Sequence, residues 1–179
     1  MLSTKNIQRL SFLLLSLAFI LCKVYILLFY ISIYYLSFEY LNSNKKYRAM
    51  PSHKIYNWLY IAYLAFIVFV RGKIFKFPKD VDYNLNTAEH IFFMFLICQT
   101  VLIYMQVFNL LSGKYLLRLI TVFALLNLIG ILNEYFQNFY QHLPILYLEK
   151  DDLKDLTINL IGSSLFVIIS ITYRLKKIA

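Results

Sequence analysis

Glu134 and Gln137 stand three residues apart, and a short way downstream come Asp152, Asp155, Asn159 and Gly162. On a helix the first pair shares a face, and the second set falls at i, i+3, i+7 and i+10, one continuous stripe. One set ends an apolar segment and the other begins the next, so the residues between them return both to one depth. Polar side chains carried into an apolar span are costly in lipid and must face protein, water or a ligand. His90, with Glu89 before it, opens an earlier apolar segment. Carboxylates, amides and an imidazole converging at one depth are what proton transfer or headgroup binding needs. Imidazole titrates near neutrality, which suits the first of these.

Each residue also has a plainer reading. Asp151 and Asp152 are placed to cap the helix that follows and to complement its dipole. Glu134, Gln137, Asp155 and Asn159 can bond across helices and do nothing more, and His90 can be an interfacial residue. Gly162-Ser163-Ser164 reads as a close-packing patch that lets two helices approach. His90, His142 and the carboxylates include metal-ligand types, but no H-E-x-x-H or other tight spacing occurs, so no metal is expected. With no phosphate-binding Gly-rich loop, no G-x-S-x-G and no reactive cysteine setting, no cofactor is expected either.

The elements that must position these groups follow from composition. Of 179 residues, 61% are hydrophobic and 15% charged, where a soluble domain has about 45–50% apolar and 25% charged residues. The apolar residues come in long blocks, which reads as an integral membrane protein. Four Gly, three Pro and no strand-like alternation exclude a barrel. The formal charge of +9 sits at the ends of apolar segments and not on one soluble face. That argues against nucleic acid and for the anionic headgroups of membrane lipids. Cys22 and Cys98 both lie inside apolar segments, which argues against a disulfide framework or a Cys-based zinc site.

The expected fold is all-α, a polytopic transmembrane helix bundle of about five spans: 10–38, 56–70, 89–111, 115–138 and 154–173. The first block has 29 residues and no cleavage-site pattern; about 20 apolar residues cross a bilayer, so it reads as one tilted helix and not a hairpin. Lys23 would then snorkel or meet a polar neighbour near the middle of that helix. Thr87 is expected to cap the third span, and Ser112-Gly113-Lys114 to make a tight turn. Two parts are expected: residues 1–55, an extra helix with a basic loop, and residues 56–179, the main transmembrane domain. Five spans put 39–55, 112–118 and the C-terminus on one side, with nine Lys/Arg and one acid; the other side has eight of each. The wholly basic loops make the first side cytoplasmic, so the N-terminus, His90 and the acidic stretch face outward.

The pattern Glu134-x-x-Gln137, a short loop, then Asp152-x-x-Asp155-x-x-x-Asn159-x-x-Gly162 resembles the VanZ-like family. These are small membrane proteins named for a member linked to teicoplanin resistance. His90 matches the histidine that opens an earlier span in that family, although Glu89 stands where an Asp-Lys pair is usual. Lys150 is the nearest basic residue to the family's loop arginine. The resemblance covers roughly residues 56 to 173. It implies a bacterial cytoplasmic (inner) membrane protein that binds or modulates a cell-envelope component, such as a lipid-linked precursor or an amphiphilic antibiotic. Two other readings stay open: an intramembrane enzyme acting on a lipid headgroup, with Glu134 or Asp155 as base and His90 as partner, and a subunit docking another membrane protein.

Overall fold

The computed structural model describes residues 4–23, 25–49, 53–71, 78–140 and 150–175, and every element among them is helical. The helices are α1 (Thr4–Leu21), α2 (Ile26–Ser43), α3 (Lys45–Arg48), α4 (His53–Arg71), α5 (Lys79–Val107), α6 (Tyr115–Tyr140) and α7 (Lys150–Leu175). Among the described residues, three stretches are long and apolar enough to cross a membrane: Tyr83–Val107, Tyr115–Phe136 and Asp152–Arg174. The apolar part of α4, Ile55–Val70, is shorter.

The chain divides into two compact units, Met1–Glu89 and His90–Ala179. The expected boundary after residue 55 falls inside the first unit, where α4 packs on α1 and α2.

The first unit corrects the expectation of a single helix over 10–38. The chain turns at Lys23 and α2 returns alongside α1. Arg9 near the start of α1 meets Glu39 near the end of α2 (Nε–Oε1 2.6 Å, Nη2–Oε2 2.8 Å), and Phe12 packs on Tyr35 and Phe38. The turn is made by Lys23, whose φ of 59° lies in the left-handed region. It closes α1 through Lys23 N–H to the Ile20 carbonyl at 3.0 Å. Left-handed backbone costs an L-residue about 1–2 kcal/mol. The Lys23 side chain is exposed.

Aromatic packing then fastens α4 to the hairpin, with the Tyr34 ring centroid 4.7 Å from that of Tyr60 and 6.5 Å from that of Tyr63. Between α2 and α4, Asn44 caps α3 by accepting from the Lys46 N–H at 2.9 Å. The buried Tyr47 hydroxyl donates to Asn57 Oδ1 at 2.7 Å, a polar group satisfied inside an apolar core.

A second correction concerns α5, which begins at Lys79, directly after Pro78, and not at Thr87. Pro78 suits that place, since its fixed φ is compatible with the start of a helix. Thr87 is already inside the helix, its hydroxyl donating to the Tyr83 carbonyl at 3.0 Å. The core of the second unit is a row of Met94, Cys98, Leu102 and Met105 on α5, set against Leu119, Val122 and Leu126 of α6 and Phe166 of α7.

Candidate functional site

Helices α6 and α7 run antiparallel and are held by a seam of polar contacts. Asn138 donates through Nδ2 to Asp152 Oδ2 at 3.0 Å. Further along, Asn127 Nδ2 donates to Ser163 Oγ at 2.9 Å, and the Tyr115 hydroxyl donates to the Ser170 carbonyl at 3.3 Å. Gly130 lies between these: a Cβ added there would sit 3.2 Å from Asn159 Nδ2, so the missing side chain makes room for that amide. Asn127, Gly130, Glu134 and Asn138 follow one another at i, i+3, i+7 and i+11, a stripe on α6 that mirrors the one on α7.

Glu134 is 6% exposed. Its carboxylate lies within electrostatic reach of Asp155 and Asp152. Asp152, Asp155 and Asn159 are each half-buried. The structure therefore gathers Glu134, Asn138, Asp152 and Asp155 at one end of the α6–α7 seam, with Asn159 about one turn further in. The side chain of Gln137 lies outside the described residues, as do Glu149, His142 and the side chain of Asp151.

Gly162 is placed differently. A Cβ there would come 2.8 Å from the Ile91 carbonyl oxygen and 2.9 Å from Met94 Cβ, so α7 presses directly on the backbone of α5. Close backbone approach at a small residue is a common way for membrane helices to pack. Ile91 opposite Gly162 and Phe95 against Phe166 fix the register of α5 on α7. In that register His90, half-buried, stands level with about residue 161, ~9 Å along the helix axis from Asp155. It is nearer in depth to Asn159 than to the carboxylates.

Asn138, Asn127 and Gly130 belong to the site and are absent from the residues singled out by sequence. Their helical spacing with Glu134 was the available signal, hidden because asparagine and glycine inside an apolar block read as interruptions. Among the described residues no three His, Cys, Asp or Glu are placed to hold one metal ion. What the seam end offers instead is concentrated negative charge, one carboxylate of it buried, with amides beside it. Such an arrangement attracts a cationic group or passes a proton. Compared with models of known families, with curated proteins and with solved structures, the chain matches none of them.

Proposed function

We propose that this chain is a VanZ-like integral membrane protein of the bacterial inner membrane, and that the α6–α7 acidic end binds a cationic, amphiphilic cell-envelope component. The cationic part would be an ammonium group, such as one on the peptide of a lipid-linked precursor or on an amphiphilic antibiotic of the teicoplanin type. The observation that carries the reading is Glu134: a buried carboxylate that faces Asp155 and Asp152 across a helix seam. Buried carboxyl groups near one another need a proton, a cation or a polar ligand to balance them.

The proposed topology has six crossings. Helices α1, α2 and α4, of 18, 18 and 19 residues, are each ~27–29 Å long at 1.5 Å per residue, close to the ~30 Å of bilayer hydrocarbon. Each unit has one basic end. In the first unit it carries Lys5, Arg9, Lys45, Lys46 and Arg48; in the second it carries Lys114, Arg118 and Arg174. Basic ends face the cytoplasm, which puts the N-terminus inside and the acidic end of the α6–α7 seam outside.

A second reading is favoured by the Asn138–Asp152 and Asn127–Ser163 bonds, which satisfy part of the stripe internally: the seam is then purely structural. The two separate in cells expressing well-folded Asp155→Asn and Glu134→Gln variants. An amide keeps the hydrogen-bonding shape without the charge, so a structural seam leaves glycopeptide tolerance or envelope phenotype unchanged. A charge-dependent site loses it, which is the outcome we expect.

A further inference from the structure

The opposite end of the second unit holds a cavity that the acidic seam does not use. It has a volume of about 500 Å³ and opens to the surface, lined by Gly113, Lys114, Tyr115, Leu117, Ile171 and Arg174 among others. Its chemistry is divided. Lys114 and Arg174 supply two positive charges, while Leu117 and Ile171 supply an apolar wall. Arg174 is held in place by its neighbours: its guanidinium carbon lies 4.2 Å from the centroid of the Tyr115 ring, and the Tyr115 hydroxyl is tied to the Ser170 carbonyl. A cation stacked on an aromatic ring keeps its edge donors free for a phosphate oxygen. The turn leading into the cavity is equally fixed. Arg118 Nε donates to the Leu110 carbonyl at 2.6 Å and the Leu111 carbonyl at 3.1 Å, and Gly113 takes a φ of 75°.

The cavity lies where α6 begins and α7 ends, at the limits of two apolar stretches, Tyr115–Phe136 and Asp152–Arg174. A molecule seated there would meet charge on the water side and hydrocarbon on the other. We infer that this cavity is a binding site for the phosphate headgroup of an anionic phospholipid, with Lys114 and Arg174 on the phosphate and Leu117 and Ile171 against the first methylenes of the chain. Basic pockets between membrane helices at the cytoplasmic face take such headgroups, and two cations with an apolar wall fit a lipid better than a free ion. The site is independent of the acidic seam, so either assignment can fail without the other.

Native mass spectrometry of the full chain in neutral detergent, titrated with phosphatidylglycerol, phosphatidylcholine or inorganic phosphate, tests this. The wild type is expected to retain one phosphatidylglycerol more tightly than phosphatidylcholine. The Lys114→Gln, Arg174→Gln pair should weaken that binding about 30-fold, each charge contributing comparably. Lys114 is exposed, so Lys114→Gln alone keeps the packing and should still give roughly a fivefold loss. Equal retention of the two lipids, or equal binding by wild type and Lys114→Gln, overturns the assignment. Inorganic phosphate competing at concentrations like those of the lipid would overturn the lipid as ligand, leaving a small-anion site.

Discussion

Glu134 owes its setting to the absence of a nearby helix break. Asn127, Gly130 and Asn138 lie on its own face of α6, so the whole stripe turns toward α7 and takes the carboxylate with it. Glu39 shows the opposite arrangement, a carboxylate surrounded by cations. The Arg9 guanidinium bonds both of its oxygens, and Lys5 approaches one of them to 3.3 Å. Glu39→Gln should therefore raise amide exchange where α1 and α2 meet at these residues. Because the pair is largely exposed, the effect on global stability is expected to be small. Exchange identical in wild type and Glu39→Gln would show that the pair does not hold the hairpin.

At the level of elements, Gly162 is a point of close approach between α7 and the α5 backbone. Even an alanine there would bring Cβ to 2.8 Å from the Ile91 carbonyl oxygen, so α5 and α7 must separate to admit it. Gly162→Ala is expected to lower the detergent melting temperature and Gly162→Leu to prevent folding, as overpacking typically costs about 1–3 kcal/mol. Unchanged melting of Gly162→Leu would mean that this glycine faces lipid. The sequence was most informative here. The boundaries of α6 and α7 lie within a few residues of the apolar blocks 115–138 and 154–173, because those blocks are bounded by charge and a glycine turn. The hairpin at Lys23 was illegible for the same physical reason. Cys-Lys-Val-Tyr has no glycine, proline or asparagine to mark a turn, and an unbroken apolar run carries no period that separates one long helix from two. The early start of α5 was hidden by the 80–87 stretch, whose polar residues look like a loop in sequence and fold as helix. Within the candidate site, the stripe on α7 was readable as spacing. Its partner on α6 was only half readable, since the apolar block masked Asn127, Gly130 and Asn138.

For the whole molecule, the hairpin moves the N-terminus to the same end of the first unit as residues 39–49, where five spans had separated them. The proposed crossings of α1 and α2 put Thr4 and Ser43 on one side of the membrane and Lys23 on the other. Single cysteines at Thr4 and Ser43, both exposed, should react with a membrane-impermeant thiol reagent from one side only, and a cysteine at Lys23 from the other, on a background lacking Cys22 and Cys98. Labelling of Lys23→Cys from the same side as Thr4→Cys would mean that the hairpin enters the bilayer without crossing it. The central claim is that the outward end of the α6–α7 seam binds through its charge. The most direct measurement is binding of a fluorescent teicoplanin-type glycopeptide to the purified chain in nanodiscs, comparing wild type, Asp155→Asn, Glu134→Gln and Asn127→Leu. The account predicts binding by the wild type and by Asn127→Leu, which alters the seam away from the carboxylates, and at least about a tenfold loss in the two charge-removing variants. Undiminished binding by Asp155→Asn and Glu134→Gln, or none by the wild type, would contradict it and leave the carboxylates as structural members of a helix pair.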